Sequence, residues 1–368
     1  MISQSRQALD VHSSLETEHN YVWTSSDIKR VFRRPLYLEL IESAELTRLS
    51  NIRFLGAIDY LIHPNGRELS RRRHTRFEHT LGVAQLALLY SCLMELNESD
   101  EANLICAALL HDVGHSPLSH SLEGAFSRQF GINHHQAGRF LILGEAPKRS
   151  GKTIPSILAA HNIDPETVIA TINGQSTDRD IARLFGHPVN VDTIEAICRS
   201  ETYIKDRHTS LSPNLVLRAL VNPTQLGPRL DDFWQLKGQI YALLIQGPIG
   251  LLADFVASNY VERHPGNFTR DDYFKNEREF RRAHPALFAE LDRVRLAIAR
   301  FSGGRFAGEI VLKYQARKFY VDPSAPFGSE QRYNQAKFSS DAVLPNFLLK
   351  PDMDNEEIAV LNFNELSY

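Results

Sequence analysis

The sequence predicts a mainly α-helical protein that ends in a small β-containing appendage. Three observations predict it. Apolar residues recur at helical intervals through Leu36–Leu61 and again through Phe77–Leu96. The run Leu104–Leu110 is apolar throughout, as a helix buried on nearly all sides requires. Strand formers crowd into Glu309–Val321 beyond the Ser302-Gly303-Gly304 break. The break divides the chain into a helical unit with an N-terminal arm, 1–302, and a small α+β region, 303–368.

Composition fixes the class. A chain of 368 residues with 43% hydrophobic content can bury a large core. A formal net charge of −3 gives no general attraction to nucleic acid or anionic lipid, so contact with a polyanion has to be local. Cys92, Cys106 and Cys198 stand singly in apolar patterns and read as buried thiols of a reducing compartment, with no C-x-x-C pair for zinc. Met1–Arg6 lacks a signal-peptide core and no apolar run reaches membrane-spanning length, so the expectation is a cytoplasmic protein with no membrane partner.

In chain order, residues 1 to about 25 read as a polar arm, and Leu36–Leu61 as one or two helices ended by His63-Pro64-Asn65-Gly66. A basic loop, Arg67 to Arg76, leads into a helix from Phe77 to Leu96 with His79 in its first turns. Asp100 is the expected cap of the next helix, whose far end carries His111 and Asp112. Gly114 relaxes the backbone, and Ser116 with Pro117 reads as the start of a new helix, so that His115 and His120 frame its first turn and Glu123 follows one turn later. A helical start follows His134-His135, and two short helices fill Ile154–Asn173. Pro188 to Asp192 then leads into a helix that places Asp192, Glu195 and Arg199 on one face. The long segment Asp231–Val261 must kink at Gly247-Pro248.

His79, the His111-Asp112 pair and Asp192 are the candidate metal ligands. Neutral imidazole with carboxylate suits Zn, Fe or Mn and leaves Mg open, and three or four protein ligands leave room for water and substrate. Two readings fit the bare residues: His111 and Asp112 as a capping pair with Asp192 as an N-cap, or all four as ligands of one divalent ion.

The order His79, His111-Asp112, Asp192 resembles the signature of the HD-domain metal-dependent phosphohydrolases. Arg76–Val83, His111–His120 and Leu40–Gly56 are similar to the branch of the sterile-alpha-motif/HD-domain deoxynucleotide triphosphohydrolases and their bacterial relatives. The similarity is strong from Pro35 to Gly138, weaker to His264 and faint beyond. It implies an HD-domain helical bundle, a divalent metal on His79, His111, Asp112 and Asp192, and a proton donor at His115 oriented by Glu123. It also implies a phosphate-facing Arg76, and His120 and His135 along the phosphate pocket. Lys237 and Tyr241 match positions that face the site in relatives; as bare residues they read equally as a surface lysine and a core tyrosine.

Departures from that branch are as informative. Its members carry Gln where Phe54 stands, Lys, Tyr and Asp where Thr193, Ala196 and Ser200 stand, and a Tyr-x-His-Lys-like segment at Ile245-Gln246-Gly247-Pro248. Losing buried hydrogen bonds to a sugar should change substrate choice sharply. The expectation is therefore a phosphohydrolase acting on a nucleotide or related phosphoester, with deoxynucleoside triphosphates one candidate, and a homo-oligomer. Two alternatives stand beside it. One is a nuclease on single-stranded nucleic acid using Arg71, Arg72, Arg73, Lys148 and Arg149; the other is a nucleotide sensor without turnover.

Overall fold

The computed structural model describes residues 19, 21–62, 73–147, 151–204, 210–300 and 309–345. The described chain is helical up to residue 300 and closes with a two-stranded antiparallel sheet. Helix α1 (Arg76–Leu93) packs along α2 (Glu98–Leu110), and both are buried over most of their length. Beyond their polar first turns both sequences are apolar on nearly all sides and fit a central position. Thr75 starts α1 by a reciprocal pair: its hydroxyl accepts from the Glu78 N–H at 3.2 Å and the Glu78 carboxylate accepts from the Thr75 N–H at 2.9 Å. Helix α2 is capped by Asn97, whose side-chain oxygen accepts from Ser99 and Asp100 N–H, both at 3.1 Å. Asp100 therefore lies in the first turn and is not the cap that the sequence suggested.

Beyond Leu110 the chain turns through 111–119. The buried Arg48 holds this turn by donating to the carbonyls of Val113 at 2.6 Å and His115 at 2.8 Å. The next helix, α3 (His120–Phe130), starts at His120 and not at Ser116. Leu118 and Ser119 have φ of 59° and 49°, a left-handed backbone that no helix accommodates. Helix α4 (His134–Leu143) is capped by Asn133. Its start packs so tightly on the turn that a Cβ on Gly114 would lie 2.0 Å from the His134 carbonyl oxygen.

Helix α5 (Val191–Glu201) crosses α1, and α6 (Pro228–Ile240) packs beside α5. After a single wide π turn, Tyr241–Ile245, the chain bends by 57° into α7 (Pro248–Arg263), the break expected at Gly247-Pro248. No single helix among the described residues is long and apolar enough to cross a membrane.

Strand β1 (Glu309–Val321) occupies the residues expected from its composition. Its partner β2 (Tyr333–Pro345) pairs with it over the full length, Glu309 opposite Pro345 and Val321 opposite Tyr333. The expected boundary at 302/303 lies outside the described residues, but the hairpin is fastened to the helical body. The Trp234 indole N–H on α6 is shared between the carbonyls of Tyr320 and Asn334, at 3.2 and 3.1 Å, and Arg332 forks onto Asp231 at 2.8 and 2.6 Å.

Candidate metal centre and its cleft

Donors from two helices and the turn that follows α2 gather around His79: ligand atoms of His79, His111 and Asp112 lie within 4.8 Å of one another, and Asp192 adjoins His79 and His111. His79 Nε2 lies 3.0 Å from Asp192 Oδ1, 3.5 Å from Asp112 Oδ2 and 3.4 Å from His111 Nε2. His111 Nε2 lies 3.6 Å from Asp112 Oδ1 and 3.8 Å from Asp192 Oδ1. Ligands about 2.1 Å from a shared ion stand about 3.0 Å apart at right angles and about 3.4 Å apart at the tetrahedral angle. The observed separations are of that size.

Both imidazoles are held by their far nitrogens. His111 Nδ1 donates to the Ala108 carbonyl at 2.8 Å, and His79 Nδ1 donates to Glu195 Oε2 at 2.5 Å. The Nε2 lone pairs are thereby left for the common centre, the arrangement that metal-binding histidines adopt. Glu195 is itself gripped by Arg199, at 2.5 and 3.0 Å to Oε1, and by His19 Nε2 at 3.1 Å. Glu195 and Arg199 are both fully buried. Gly82 makes room for this carboxylate, since a Cβ there would lie 2.4 Å from Glu195 Oε1.

Burial opposes charge on His79, yet the hydrogen bonds to Asp192 and Glu195 outweigh it and raise its pKa to about 9. Burial likewise opposes ionisation of Asp112, but His115, His111 and Arg76 hold it well below the usual carboxylate range. Without an ion the Nε2 proton of His79 is held by Asp192, and a divalent cation would displace it; two imidazoles and two carboxylates are a donor set that fits such a cation.

Around this centre Arg76 donates to Asp112 Oδ2 at 2.7 Å and to Ser119 Oγ at 3.0 Å. A second imidazole cluster, His115, His120 and His134, lies alongside, with ring nitrogens within 4.8 Å of one another. His115 stacks on His134 at 4.5 Å and its Nε2 is 3.1 Å from Asp112 Oδ1.

Two expectations are corrected here, and the place of His115 is defined. Glu123 does not hold His115; it accepts from His120 Nδ1 at 2.9 Å and His134 Nδ1 at 2.5 Å, because α3 starts at His120 and puts Glu123 in its first turn. Burial opposes its charge, and these two bonds keep it ionised. His134, and not His135, faces this cluster, since the Asn133 cap turns the first helical residue inward; His135 lines a separate depression with Leu110 and Ile142. His115 is buried behind His120 and His134 and does not reach the cleft surface.

The cleft beside the donors has a volume of about 570 Å³. Arg76, Asp112, Asp192, His120, Glu123 and His134 line one part of it, and Lys237 and Tyr241 another, which places both of these expected substrate contacts on the cleft. Of the departures flagged by the sequence, Phe54, Thr193, Ala196, Ser200, Ile245 and Gln246 line the cleft, and Gly247 and Pro248 do not. Sequence reasoning missed the hairpin wall, Tyr314, Gln315 and Arg317, and the carboxylate Asp254. Gln246 clamps the hairpin, donating to the Gln315 carbonyl at 3.0 Å and accepting from the Arg317 N–H at 3.1 Å. Of the residues expected for a nucleic-acid strand, Arg71, Arg72, Lys148 and Arg149 lie outside the described residues, and Arg73 is half-buried.

Residues 76–201 match the family model described as the HD domain. Among similar proteins, an uncharacterized MG461 homolog of Mycoplasma pneumoniae is 27% identical over 50% of this chain and 42% of its own. YwfO of Bacillus subtilis, also uncharacterized, is 27% identical over 63% of this chain and 52% of its own. The deoxynucleoside triphosphate triphosphohydrolase SAMHD1 of Danio rerio is 34% identical over 31% of this chain and 18% of its own. The chain thus spans about half the length, or less, of these relatives. A hypothetical protein from Aquifex aeolicus has the same fold, with a TM-score of 0.61 at 16% identity, covering 85% of this chain and 92% of that one.

Proposed function

Residues 76–201 are an HD domain, and from that premise we propose that the protein is a metal-dependent phosphohydrolase acting on a nucleotide or related phosphate ester or anhydride. One observation carries the reading: His79 Nε2 lies 3.0 to 3.5 Å from donor atoms of Asp192, His111 and Asp112, with both imidazoles turned inward by hydrogen bonds at Nδ1. His79, His111, Asp112 and Asp192 would hold one divalent ion, Mn, Fe, Zn or Mg. Such an ion supplies an activated water and polarises a phosphate oxygen.

The protein's own groups do the rest. Arg76 and Lys237 bring positive charge to the cleft for the phosphate, Arg76 through a planar fork suited to two oxygens. The imidazole cluster carries the proton to the leaving oxygen, His134 from the cleft wall and His115 from behind it. Glu123 fixes the Nδ1 protons of His120 and His134, so their Nε2 atoms are the ones left for substrate. Deoxynucleoside triphosphates, the substrates named for SAMHD1, are candidates, and the changed lining argues for a different sugar selectivity. A cytoplasmic homo-oligomer belongs to the same reading.

The test is a screen of nucleotides, oligonucleotides and simple phosphoesters with protein loaded with each metal in turn. Metal-dependent release of phosphate or polyphosphate, abolished in Asp112→Ala, is the expected result. Binding of a nucleotide with no turnover under any metal would replace the enzyme by a sensor. Full turnover in metal-free protein would overturn the reading.

A further inference from the structure

The mechanism leaves one cleft carboxylate unused. Asp254, on α7, lines the cleft, and its Oδ1 accepts from the Ser121 hydroxyl at 2.5 Å. That hydroxyl accepts in turn from the Ala57 backbone N–H at 2.9 Å, so its single proton is committed to Asp254. The arrangement is built. Gly56 has φ of 61°, and a Cβ there would lie 2.2 Å from the Leu118 carbonyl oxygen and 2.8 Å from Ser121 Oγ, so only glycine lets the Phe54-Leu55 loop close onto Ser121. Ser258 adds a second tie from α7, donating to the Ser121 carbonyl at 3.0 Å.

Leu55, Ile58 and Leu251 also line the cleft, and Leu251 stands one turn before Asp254 on α7. Burial lifts its pKa to about 6, and Ser121 alone works against that rise. Asp254 is half-buried on the cleft, and among the described residues its second oxygen takes no protein donor, which leaves it open to a ligand.

We propose that Asp254 reads the non-phosphate end of the substrate, its free oxygen accepting a hydrogen bond from a sugar hydroxyl of a nucleotide. The proposal rests on the phosphohydrolase reading, which sets the phosphate at the metal donors and the nucleoside toward α7. Carboxylates recognise ribose hydroxyls elsewhere in this way. The positions where the related branch holds its sugar are here Phe54, Thr193, Ala196 and Ser200, and Asp254 supplies the polar contact that these no longer make.

The experiment measures Kd on the metal-loaded protein for ATP, 2′-deoxy-ATP, 3′-deoxy-ATP, ITP and inorganic tripolyphosphate, with hydrolysis of each followed in parallel. In Asp254→Ala the ratio of the ATP Kd to the tripolyphosphate Kd should rise by about 10- to 100-fold over wild type, the worth of a hydrogen bond to a charged group. Removing the recognised hydroxyl should cost the wild type a similar factor and the variant little. If ITP and not a deoxy form shows that pattern, the donor is a base amine and the sugar assignment is overturned. Asp254→Asn, which keeps the shape, is measured beside it with thermal melts, so that the ratio can still be read if the Ala variant misfolds. An unchanged ratio in both variants, or a wild type that binds tripolyphosphate but no nucleotide, overturns the proposal. Hydrolysis without the predicted ratio sinks Asp254 alone; the predicted ratio without hydrolysis of any probe sinks the enzyme reading alone.

Discussion

Glu195→Gln is the most informative perturbation, because it separates what one carboxylate does for a metal from what it does for the fold. The substitution keeps the size of the side chain but removes the charge that faces His79 Nδ1 and Arg199. Hydrogen-bond partners behind metal ligands are each worth about 10- to 100-fold in metal affinity. Arg199 is fully buried, and stranding a buried charge costs about 3–5 kcal/mol. With an unfolding entropy of about 2.1 cal/mol/K per residue, a chain of 368 residues should lose about 4–6 °C in Tm. The double variant Glu195→Gln with Arg199→Met removes the stranded cation and should recover much of that stability. It should not recover metal affinity. Calorimetric melts and metal titration with a competing chelator measure the two quantities. Wild-type metal affinity in Glu195→Gln, or recovery of affinity together with stability in the double variant, would refute the reasoning.

Other outcomes follow from the same geometry. Gly82→Ala pushes a Cβ against Glu195 and should destabilise the fold by about 1–3 kcal/mol while also weakening metal retention, seen by the same melts and titration. Lys237 has a pKa lowered to about 8, by burial first and then by the nearby Arg317, with Asp192 opposing. Its charge is present below pH 8 and lost as pH rises through it, so the KM of an anionic substrate should climb several-fold between pH 7 and 9. Lys237→Arg, which stays charged, should flatten that profile. Trp234→Phe removes the N–H shared by Tyr320 and Asn334, and limited proteolysis should then cut the hairpin faster than in wild type.

The four proposed metal ligands were legible because each sits in a short motif whose residue types leave few other chemistries. His79 follows a basic loop at a helix start, His111-Asp112 ends an apolar run, and Asp192 opens another helix. Their supports were harder to read. Glu195 and Arg199 were recognisable as sharing a face with Asp192, but that the face lies under His79, 116 residues away, is a property of tertiary packing. The start of α3 was misplaced because Ser-Pro is a good helix opening in isolation. In the chain, Ser119 instead bridges Arg76 and Arg53, its backbone held in a left-handed turn. The choice between His134 and His135 hung on a one-residue question of where Asn133 caps the helix. Strand β2 is too polar to announce itself, and with it the hairpin wall of the cleft was missed. Asp254 was invisible for a related reason: a lone acid in an apolar helix has no motif, and only its position beside Ser121 gives it meaning.

Elemental analysis of the purified chain beside Asp192→Ala and His79→Ala tests the central claim most directly. Asp192 has a side chain 44% exposed, so its truncation should leave the fold intact. One divalent ion per chain is expected in the wild type, with a marked loss in each variant. A folded Asp192→Ala protein that keeps its full complement of metal at wild-type affinity would contradict the claim.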